Sequence, residues 1–260
     1  MDSRLKVLTV RRVGSKPGRQ HNQLASDLGD ALDHQDIEVN FQLQYELRSG
    51  RACGLEALAR WPRLDGEVTP PSMFIPVAER FGMIGAVGVS VLYQACRTVG
   101  EWTEIAPQLP TLSVNVSAQQ LTEDFSAVIG SVLELTEFPA TRLELEVTET
   151  GLISNVGVAA RTLEQCKKLG VRIALDDFGT GYSGLAYLAR LPVDRLKLDQ
   201  SFVQAMATDR KVAAIVRSVL AMGREMNLEV LAEGIESERQ LEMLIGMGCC
   251  LGQGDRKSVV

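Results

Sequence analysis

Eight polar residues recur along the sequence, each near the C-terminal end of a short apolar segment with strand character. They are four acids, three amides and one amine: Glu56, Glu146, Asp176, Glu233, Gln44, Asn115, Gln253 and Lys197. If the segments are strands of one barrel, their C-terminal ends meet at one mouth, where active sites are built. The pattern predicts a single polar site assembled from side chains that are far apart in the sequence.

The acids in this set point to metal chemistry. Carboxylates gathered in one place repel one another and stay ionised together only if cations neutralise them. Oxygen ligands without histidine or cysteine favour hard cations, Mg²⁺ or Mn²⁺. The adjacent Asp176 and Asp177 can serve two ions with one bridging carboxylate, an arrangement common in phosphodiester cleavage. Lys197 would then lie beside the attacking water, which it orients, or deprotonates if burial lowers its pKa.

Strand-like and helix-like segments alternate over most of the chain. The interval between the first two strands is short and contains Gly50, which predicts an antiparallel hairpin. Later strands are separated by helices, which predicts parallel pairing. The candidate strands are Val39–Tyr45, Ala52–Leu58, Thr111–Val116, Arg142–Val147, Val171–Asp176, Arg195–Leu198, Leu228–Ala232 and Cys249–Gly252.

The candidate helices carry apolar residues at helical spacing. They are Leu24–Asp33, Ile84–Trp102, Ala118–Leu135, Val156–Leu169, Lys211–Met226 and Glu238–Met247. This order predicts an α/β fold, a TIM-type (β/α)8 barrel with an irregular, partly antiparallel start. A doubly wound open sheet is the rival, although no strand is followed by the G-x-G-x-x-G turn of dinucleotide-binding sheets. Residues 1–22 are interpreted as a tail or linker and 23–260 as the barrel.

Side-chain alternation along the strands predicts a second charged level below the acids. It places Glu144, Arg172 and Arg195 inside the barrel, one step beneath the predicted site. Because buried charges need partners, we expect Glu144 to pair with at least one of these arginines. The alternative is that these residues lie at open strand starts, facing water.

Composition narrows the class of protein. The net charge of -6 argues against a general nucleic-acid surface, and 45% hydrophobic residues allow a sizeable core. An odd count of 5 cysteines without C-x-x-C spacing predicts reduced thiols and a cytoplasmic location. The only histidines, His21 and His34, lie outside the candidate motifs, which argues against a Cys/His zinc site. No apolar run reaches about 18 residues, so no membrane segment is predicted.

Six ordered motifs resemble the EAL-domain cyclic di-GMP phosphodiesterases, over about residues 36–254. The tripeptide that gives the family its name stands at Glu56-Ala57-Leu58. The others are SVNVS at 113–117, ELEVTET at 144–150, DDFGTGYSGL at 176–185, LKLDQSFV at 196–203 and AEGIE at 232–236.

The resemblance implies a role for each matching residue. One metal ion would be held by Glu56, Asn115, Glu146 and Asp176, and a second by Asp176, Asp177 and Glu233. Lys197 would assist the attacking water and, with Glu56 and Glu233, form the catalytic group. Contacts to the substrate would come from Gln44, Arg60, Glu236 and Gln253. Glu149 would anchor the loop 178–185, which in the family couples metal binding to dimer contacts.

The implied reaction is hydrolysis of cyclic di-GMP to linear pGpG with two Mg²⁺ or Mn²⁺ ions, and Ca²⁺ is expected to inhibit. The resemblance also implies a homodimer, and a sensor or cyclase domain in a longer parent protein. Two alternatives stay open: a module that binds cyclic di-GMP without cutting it, and another metal-dependent barrel enzyme such as an enolase-type lyase.

The chain departs from the family pattern after Gly254. The family continues with Gln-Gly-aromatic and about ten further residues, whereas here Gln253-Gly254 is followed by Asp255-Arg256-Lys257-Ser258-Val259-Val260. We expect an intact metal site beside a disordered or displaced tail, and weaker substrate affinity than in a relative with the usual ending.

Overall fold

A closed barrel of eight strands forms the centre of the molecule. The structure, a computed structural model, describes residues 19–63, 66–102, 111–152, 156–179 and 188–254. The barrel strands are β1 Glu38–Glu46, β2 Ala52–Pro62, β4 Thr111–Val116, β5 Leu143–Thr148, β6 Arg172–Phe178, β7 Arg195–Leu198, β8 Glu229–Ala232 and β9 Leu251–Gly252. A two-residue strand, β3 Val68–Thr69, pairs with the end of β2 outside the barrel.

The predicted strand directions are confirmed. β1 and β2 form an antiparallel hairpin, and β2 is parallel to β4. Parallel pairing then continues through β5, β6, β7, β8 and β9. β9 closes the barrel by pairing antiparallel with β1, through Tyr45 opposite Gly252 and Glu46 opposite Leu251. Closure leaves no long sheet edge among the barrel strands.

Helices surround the barrel on its outer face. They are α1 Arg19–His34, α2 Pro71–Arg80, α3 Ile84–Trp102, α4 Phe125–Thr136, α5 Glu149–Leu152, α6 Val156–Lys168, α7 Gln200–Ala205, α8 Arg210–Glu225 and α9 Glu238–Gly246. The outward residues of the strands are apolar and fully buried against them, as Leu112, Leu145 and Leu196 show. The inward residues of the same strands are largely polar, so the apolar core lies between strands and helices.

Two predicted helices begin five or more residues away from where the structure begins them. The helix predicted over 118–135 begins at Phe125, because a separate 3₁₀ turn occupies Ala118–Gln120. Ser117 and Gln120 form a capping box on that turn, and Leu121 then leaves the helical region with ψ 60°. At the N-terminus, α1 begins at Arg19, inside the segment interpreted as a tail. The rest of that tail, 1–18, lies outside the described residues.

None of the described helices combines the length and the apolar character that crossing a membrane would require.

Candidate active site

The C-terminal ends of the parallel strands bring the predicted acids together around one amine. We call this group the upper layer, and it consists of Glu56, Asn115, Glu146, Asp176, Asp177, Lys197 and Glu233. Lys197 lies at its centre and is 1% exposed. Its Nζ is 2.6 Å from Glu146 Oε2 and 2.9 Å from Glu233 Oε1, and Asp176 and Glu56 lie at 3.3 and 3.4 Å. The prediction that these strand ends converge is confirmed.

The neighbours Asp176 and Asp177 both reach the site because the end of β6 is irregular. Adjacent strand residues normally point to opposite faces. Here the register with β7 shifts between Leu175 and Phe178, and Asp177 adopts a left-handed conformation with φ 55°. Its backbone N–H donates to Asp176 Oδ1 at 2.9 Å. As a result, carboxylate oxygens of Asp176, Asp177 and Glu233 all lie within 4.8 Å of one another.

The electrostatics of the upper layer show an excess of negative charge. Burial raises the pKa of Glu146 well above its usual value, against the opposing charge of Lys197. Burial likewise raises the pKa of Glu233 to about 7. Burial and the neighbouring Asp176 raise the pKa of Asp177. One ammonium therefore does not neutralise the carboxylates that surround it.

The sequence analysis made deprotonation of the water by Lys197 conditional on a pKa lowered by burial, and that condition is not met. Burial does act in that direction, but the carboxylates of Glu146, Glu56, Asp176 and Glu233 outweigh it and raise the pKa well above its usual value. The surrounding carboxylates hold Lys197 as an ammonium that donates hydrogen bonds to them.

The donor set fits hard divalent cations. Glu146 Oε1 is a buried carboxylate oxygen with no hydrogen-bond partner among the described residues. Asn115 donates from Nδ2 to Glu56 Oε1 at 2.8 Å, so its amide is already aligned with a carboxylate. A cleft of about 430 Å³ opens directly above these groups, and Asp176, Asp177 and Glu233 line it. Convergent oxygens, a shortage of positive charge and an open cleft are what a metal site needs.

A second polar level, the lower layer, lies beneath the upper layer inside the barrel. Its members are Gln44, Ser113, Glu144, Arg172, Arg195 and Glu229. The predicted pairing of Glu144 is confirmed twice: Arg195 Nη1 donates to Glu144 Oε1 at 2.7 Å, and Arg172 Nε lies 3.4 Å from Glu144 Oε2. Sequence reasoning missed Glu229, which accepts from both arginines at 2.5 and 2.8 Å. Glu229 lies at the start of β8, and strand alternation places it on the same inward face as Glu233. This alternation could have identified it from the sequence.

The structure corrects the position of Gln44. This residue was predicted at the mouth, but β1 is antiparallel to the other strands, so its C-terminal end lies at the opposite end of the barrel. Gln44 stands opposite Gly54, is 1% exposed and accepts from Arg195 Nη1 at 3.2 Å. Gln42, two residues earlier on the same face, stands opposite Glu56 and lines the cleft. Gln42 therefore takes the place at the mouth that the sequence analysis gave to Gln44.

Of the other predicted substrate contacts, Gln253 and Glu236 line the cleft and Arg60 does not. Gln253 donates from Nε2 to Glu56 Oε2 at 2.7 Å and to Glu233 Oε1 at 2.9 Å. Glu236 lines the cleft and accepts from Gln204 Nε2 at 3.3 Å. Arg60 is half-buried on β2, four residues beyond Glu56, and its guanidinium donates to the carbonyl of Ala59.

The predicted loop anchor contacts the last described residue before the gap in its loop. Glu149 is buried, and its Oε2 accepts from the backbone N–H of Gly179 at 3.1 Å. Residues 180–187 of the loop lie outside the described residues, as do residues 255–260 of the C-terminal tail. The predicted displacement of that tail stays a prediction.

Comparison with known proteins identifies the family. The EAL domain profile matches residues 25–257. The chain therefore belongs to the EAL domain family, and its barrel is of the TIM type.

Relatives and solved structures agree with this assignment. An uncharacterized signaling protein of Caulobacter vibrioides is 39% identical over 237 residues, 91% of this chain and 29% of the relative. The bifunctional diguanylate cyclase/cyclic di-GMP phosphodiesterase MucR of Pseudomonas aeruginosa is 38% identical over 235 residues, 89% of this chain and 34% of the relative. The chain thus spans about a third of the length of these curated relatives.

Two solved structures superpose closely on the barrel. A MucR phosphodiesterase in complex with c-di-GMP matches with a TM-score of 0.84 and 37% identity, covering 89% of this chain and 94% of that one. The EAL enzyme Bd1971, bound to cAMP and cyclic di-GMP, matches with a TM-score of 0.84 and 31% identity, covering 90% and 65%.

Proposed function

We propose that this domain hydrolyses one phosphodiester bond of cyclic di-GMP, giving linear pGpG, with two bound Mg²⁺ or Mn²⁺ ions. The observation that carries the proposal is the convergence of Asp176, Asp177 and Glu233 oxygens within 4.8 Å, beside the buried ammonium of Lys197. MucR, whose solved phosphodiesterase domain holds c-di-GMP, supplies the substrate class.

Charge balance supports two ions. The upper layer contains five carboxylates and one ammonium, which leaves four negative charges when all are ionised. Two divalent cations balance that charge. One would be held by Glu56, Asn115, Glu146 and Asp176, and the other by Asp176, Asp177 and Glu233. Bound cations of this kind polarise phosphoryl oxygens and acidify a bound water.

The chain's own residues contribute binding, orientation and charge. Lys197, as an ammonium, orients the attacking water by hydrogen bonding and stabilises negative charge that develops on the phosphoryl group. Arg60 can fork two phosphate oxygens, which a guanidinium does better than an amine. Gln42, Glu236 and Gln253 provide amide and carboxylate groups around the cleft for the nucleotide.

The test is direct conversion. The protein is incubated with cyclic di-GMP and Mg²⁺ or Mn²⁺, and nucleotides are separated by chromatography, with EDTA and Asp176→Asn as controls. Formation of pGpG that both controls abolish supports the proposal. Binding of cyclic di-GMP without pGpG identifies a receptor module instead. No binding and no product would point to another metal-dependent barrel enzyme.

We propose further that the domain is a homodimer and operates beside a sensor or cyclase domain. The length of its curated relatives and the bifunctional name of MucR support the neighbouring domain, and the family resemblance alone suggests the dimer. Light scattering on the purified chain measures the dimer directly. A single monomer mass at micromolar concentrations would contradict that part of the proposal without affecting the proposed hydrolysis.

A further inference from the structure

Arg195 is the central residue of the lower layer. It is 4% exposed, and its guanidinium reaches three other strands. Nη1 donates to Glu144 on β5 at 2.7 Å and to Gln44 on β1 at 3.2 Å. Nε and Nη2 donate to Glu229 Oε2 on β8 at 3.1 and 2.8 Å. Because Arg195 itself lies on β7, this one side chain links four barrel strands.

Glu144 extends the network to two more strands. It is fully buried, and its Oε1 accepts from Ser113 Oγ on β4 at 2.9 Å as well as from Arg195. Its Oε2 faces Arg172 of β6 at 3.4 Å. With two arginines and two glutamates, the lower layer carries no net charge, in contrast to the upper layer above it.

The two layers correspond residue by residue. Each lower-layer residue on a parallel strand shares its inward face with an upper-layer residue two or four positions later. The pairs are Ser113 with Asn115, Glu144 with Glu146, Arg195 with Lys197, Arg172 with Asp176, and Glu229 with Glu233. A side chain that sets the spacing between strands at the lower level therefore also sets the distances between the groups above.

We propose that the lower layer fixes the spacing of the ligand-bearing strands, with Arg195 as the positioning residue of the metal site. The inference rests on the proposed function, because it assumes that the upper layer holds cations. Contacts between strands at the upper level do not fix the strand spacing independently of the metal ions. The link between β7 and β5 there is Lys197 to Glu146, and Glu146 is itself a proposed metal ligand.

A gain in folding stability does not by itself explain why the barrel contains a layer of paired charges. Arg195 and Glu144 form the buried pair of the lower layer, whereas the side chains of Arg172 and Glu229 are 31% and 45% exposed. Replacing a buried ion pair by neutral groups of similar volume is often neutral or stabilising, whereas removing one partner is strongly destabilising. If the ion pairs served only folding stability, replacing both partners by neutral residues would leave metal binding unchanged. If they fix the spacing of the strands, the same replacement would fold but would bind the metal ions less tightly.

The experiment compares single and paired variants. Arg195→Met should lower the melting temperature, and Arg195→Met/Glu144→Gln should recover most of it because both charges leave together. We expect the Mn²⁺ dissociation constant, measured by electron paramagnetic resonance, to rise about 10-fold in both variants. We expect kcat for cyclic di-GMP to fall by a similar factor with little change in KM. Arg195→Lys should resemble Arg195→Met in Mn²⁺ affinity, because one ammonium cannot reach all three partners.

Arg63→Met is the matched control. Arg63 also pairs with an acid, Asp27 at 2.8 Å, but it lies outside the barrel interior. It should lose stability without loss of Mn²⁺ affinity. The inference is overturned if the paired variant binds Mn²⁺ as tightly as wild type, or if Arg63→Met loses affinity in proportion to its melting temperature. Wild-type protein that binds Mn²⁺ but makes no pGpG refutes the proposed function only, since the Mn²⁺ titration still tests the role of Arg195.

Discussion

The Nζ of Lys197 lies 2.6 Å from Glu146 Oε2, and both side chains are at most 1% exposed. A buried ammonium and a buried carboxylate at this distance form the innermost contact of the acidic site. Lys197 thus already supplies one positive charge to the upper layer. Divalent ions would add to this charge and would not replace it.

Replacing Lys197 should separate binding from chemistry. We expect Lys197→Ala to retain cyclic di-GMP binding in the presence of Mg²⁺, while hydrolysis slows by about 10²–10³-fold, the range typical of losing one donor that stabilises developing charge. Glu56→Ala, which removes a proposed ligand, should weaken metal and substrate binding together. Calorimetric titration and turnover measure the two effects. Wild-type turnover in Lys197→Ala would show that the residue has no role in the reaction.

The raised pKa of Glu233 predicts how pH and metal jointly affect stability. Burial raises this pKa from 4.5 to about 7. Between these values the folded protein keeps a proton that the unfolded chain loses, so the metal-free free energy of unfolding falls as pH rises through this interval. A divalent cation takes the place of that proton, so Mg²⁺ should raise the melting temperature more at pH 8 than at pH 6.

Thermal unfolding at both pH values, with EDTA or MgCl₂, checks this expectation. Glu233→Gln is the control, because an amide cannot titrate and should remove much of the pH dependence. An equal Mg²⁺ effect at pH 6 and pH 8 would contradict the link between Glu233 ionisation and metal binding.

Ca²⁺ should occupy the site without supporting hydrolysis. It accepts looser geometry than Mg²⁺ and polarises bound water less. We expect Ca²⁺ to raise the melting temperature, to permit cyclic di-GMP binding and to inhibit turnover in competition with Mg²⁺. Assays with varied Ca²⁺ at fixed Mg²⁺ measure the inhibition. Equal turnover with either ion as the sole cation would argue against activation of the attacking water by the cation.

Gln42 and Gln44 should have opposite phenotypes despite their separation by one residue. Gln42 lines the cleft, so Gln42→Ala should raise KM with little effect on the melting temperature. Gln44 is buried and bonded to Arg195 and Ser113, so Gln44→Ala should lower the melting temperature and leave KM nearly unchanged. The Michaelis constants and melting temperatures of both variants test this prediction. A raised KM for Gln44→Ala alone would restore the sequence-based assignment.

This pair also shows what the sequence could predict. Strand periodicity placed Glu146, Asp176 and Lys197 correctly, because parallel strands all end at the same mouth. Periodicity misplaced Gln44 because β1 runs antiparallel to the other barrel strands. The residues of β1 nearest the mouth are therefore in its first half and not at its C-terminal end. Hairpin pairing was predicted, yet its effect on the inward residues depends on register, which only the three-dimensional pairing of Gln42 with Glu56 provides.

The direction of the pKa shift of Lys197 could not be predicted from the sequence either. Burial of Lys197 was foreseeable from its place on an apolar strand, and burial alone would lower the pKa. The opposite outcome comes from the number and closeness of carboxylates, which are contributed by four other strands. Distances of 2.6 to 3.4 Å decide the balance, and no spacing in the sequence encodes them.

Gly54 provides a final test of packing in the lower layer. A Cβ at this position would lie 2.8 Å from Gln44 Oε1 and 3.3 Å from the carbonyl oxygen of Thr111. Gln44 cannot simply swing aside, because Arg195 and Ser113 hold its amide. We therefore expect Gly54→Ala to destabilise the fold by about 1–3 kcal/mol, the usual cost of overpacking.

The double variant Gly54→Ala/Gln44→Ala identifies the cause. Removing the Gln44 side chain makes room for the new methyl group, so the double variant should be more stable than the sum of the two single losses predicts. Gly29→Ala is the control, since a Cβ there meets nothing within 4 Å and a helical alanine should stabilise slightly. Chemical denaturation of the four variants gives the coupling energy. Strict additivity between positions 44 and 54 would mean that the contact with Gln44 is not what excludes a side chain from Gly54.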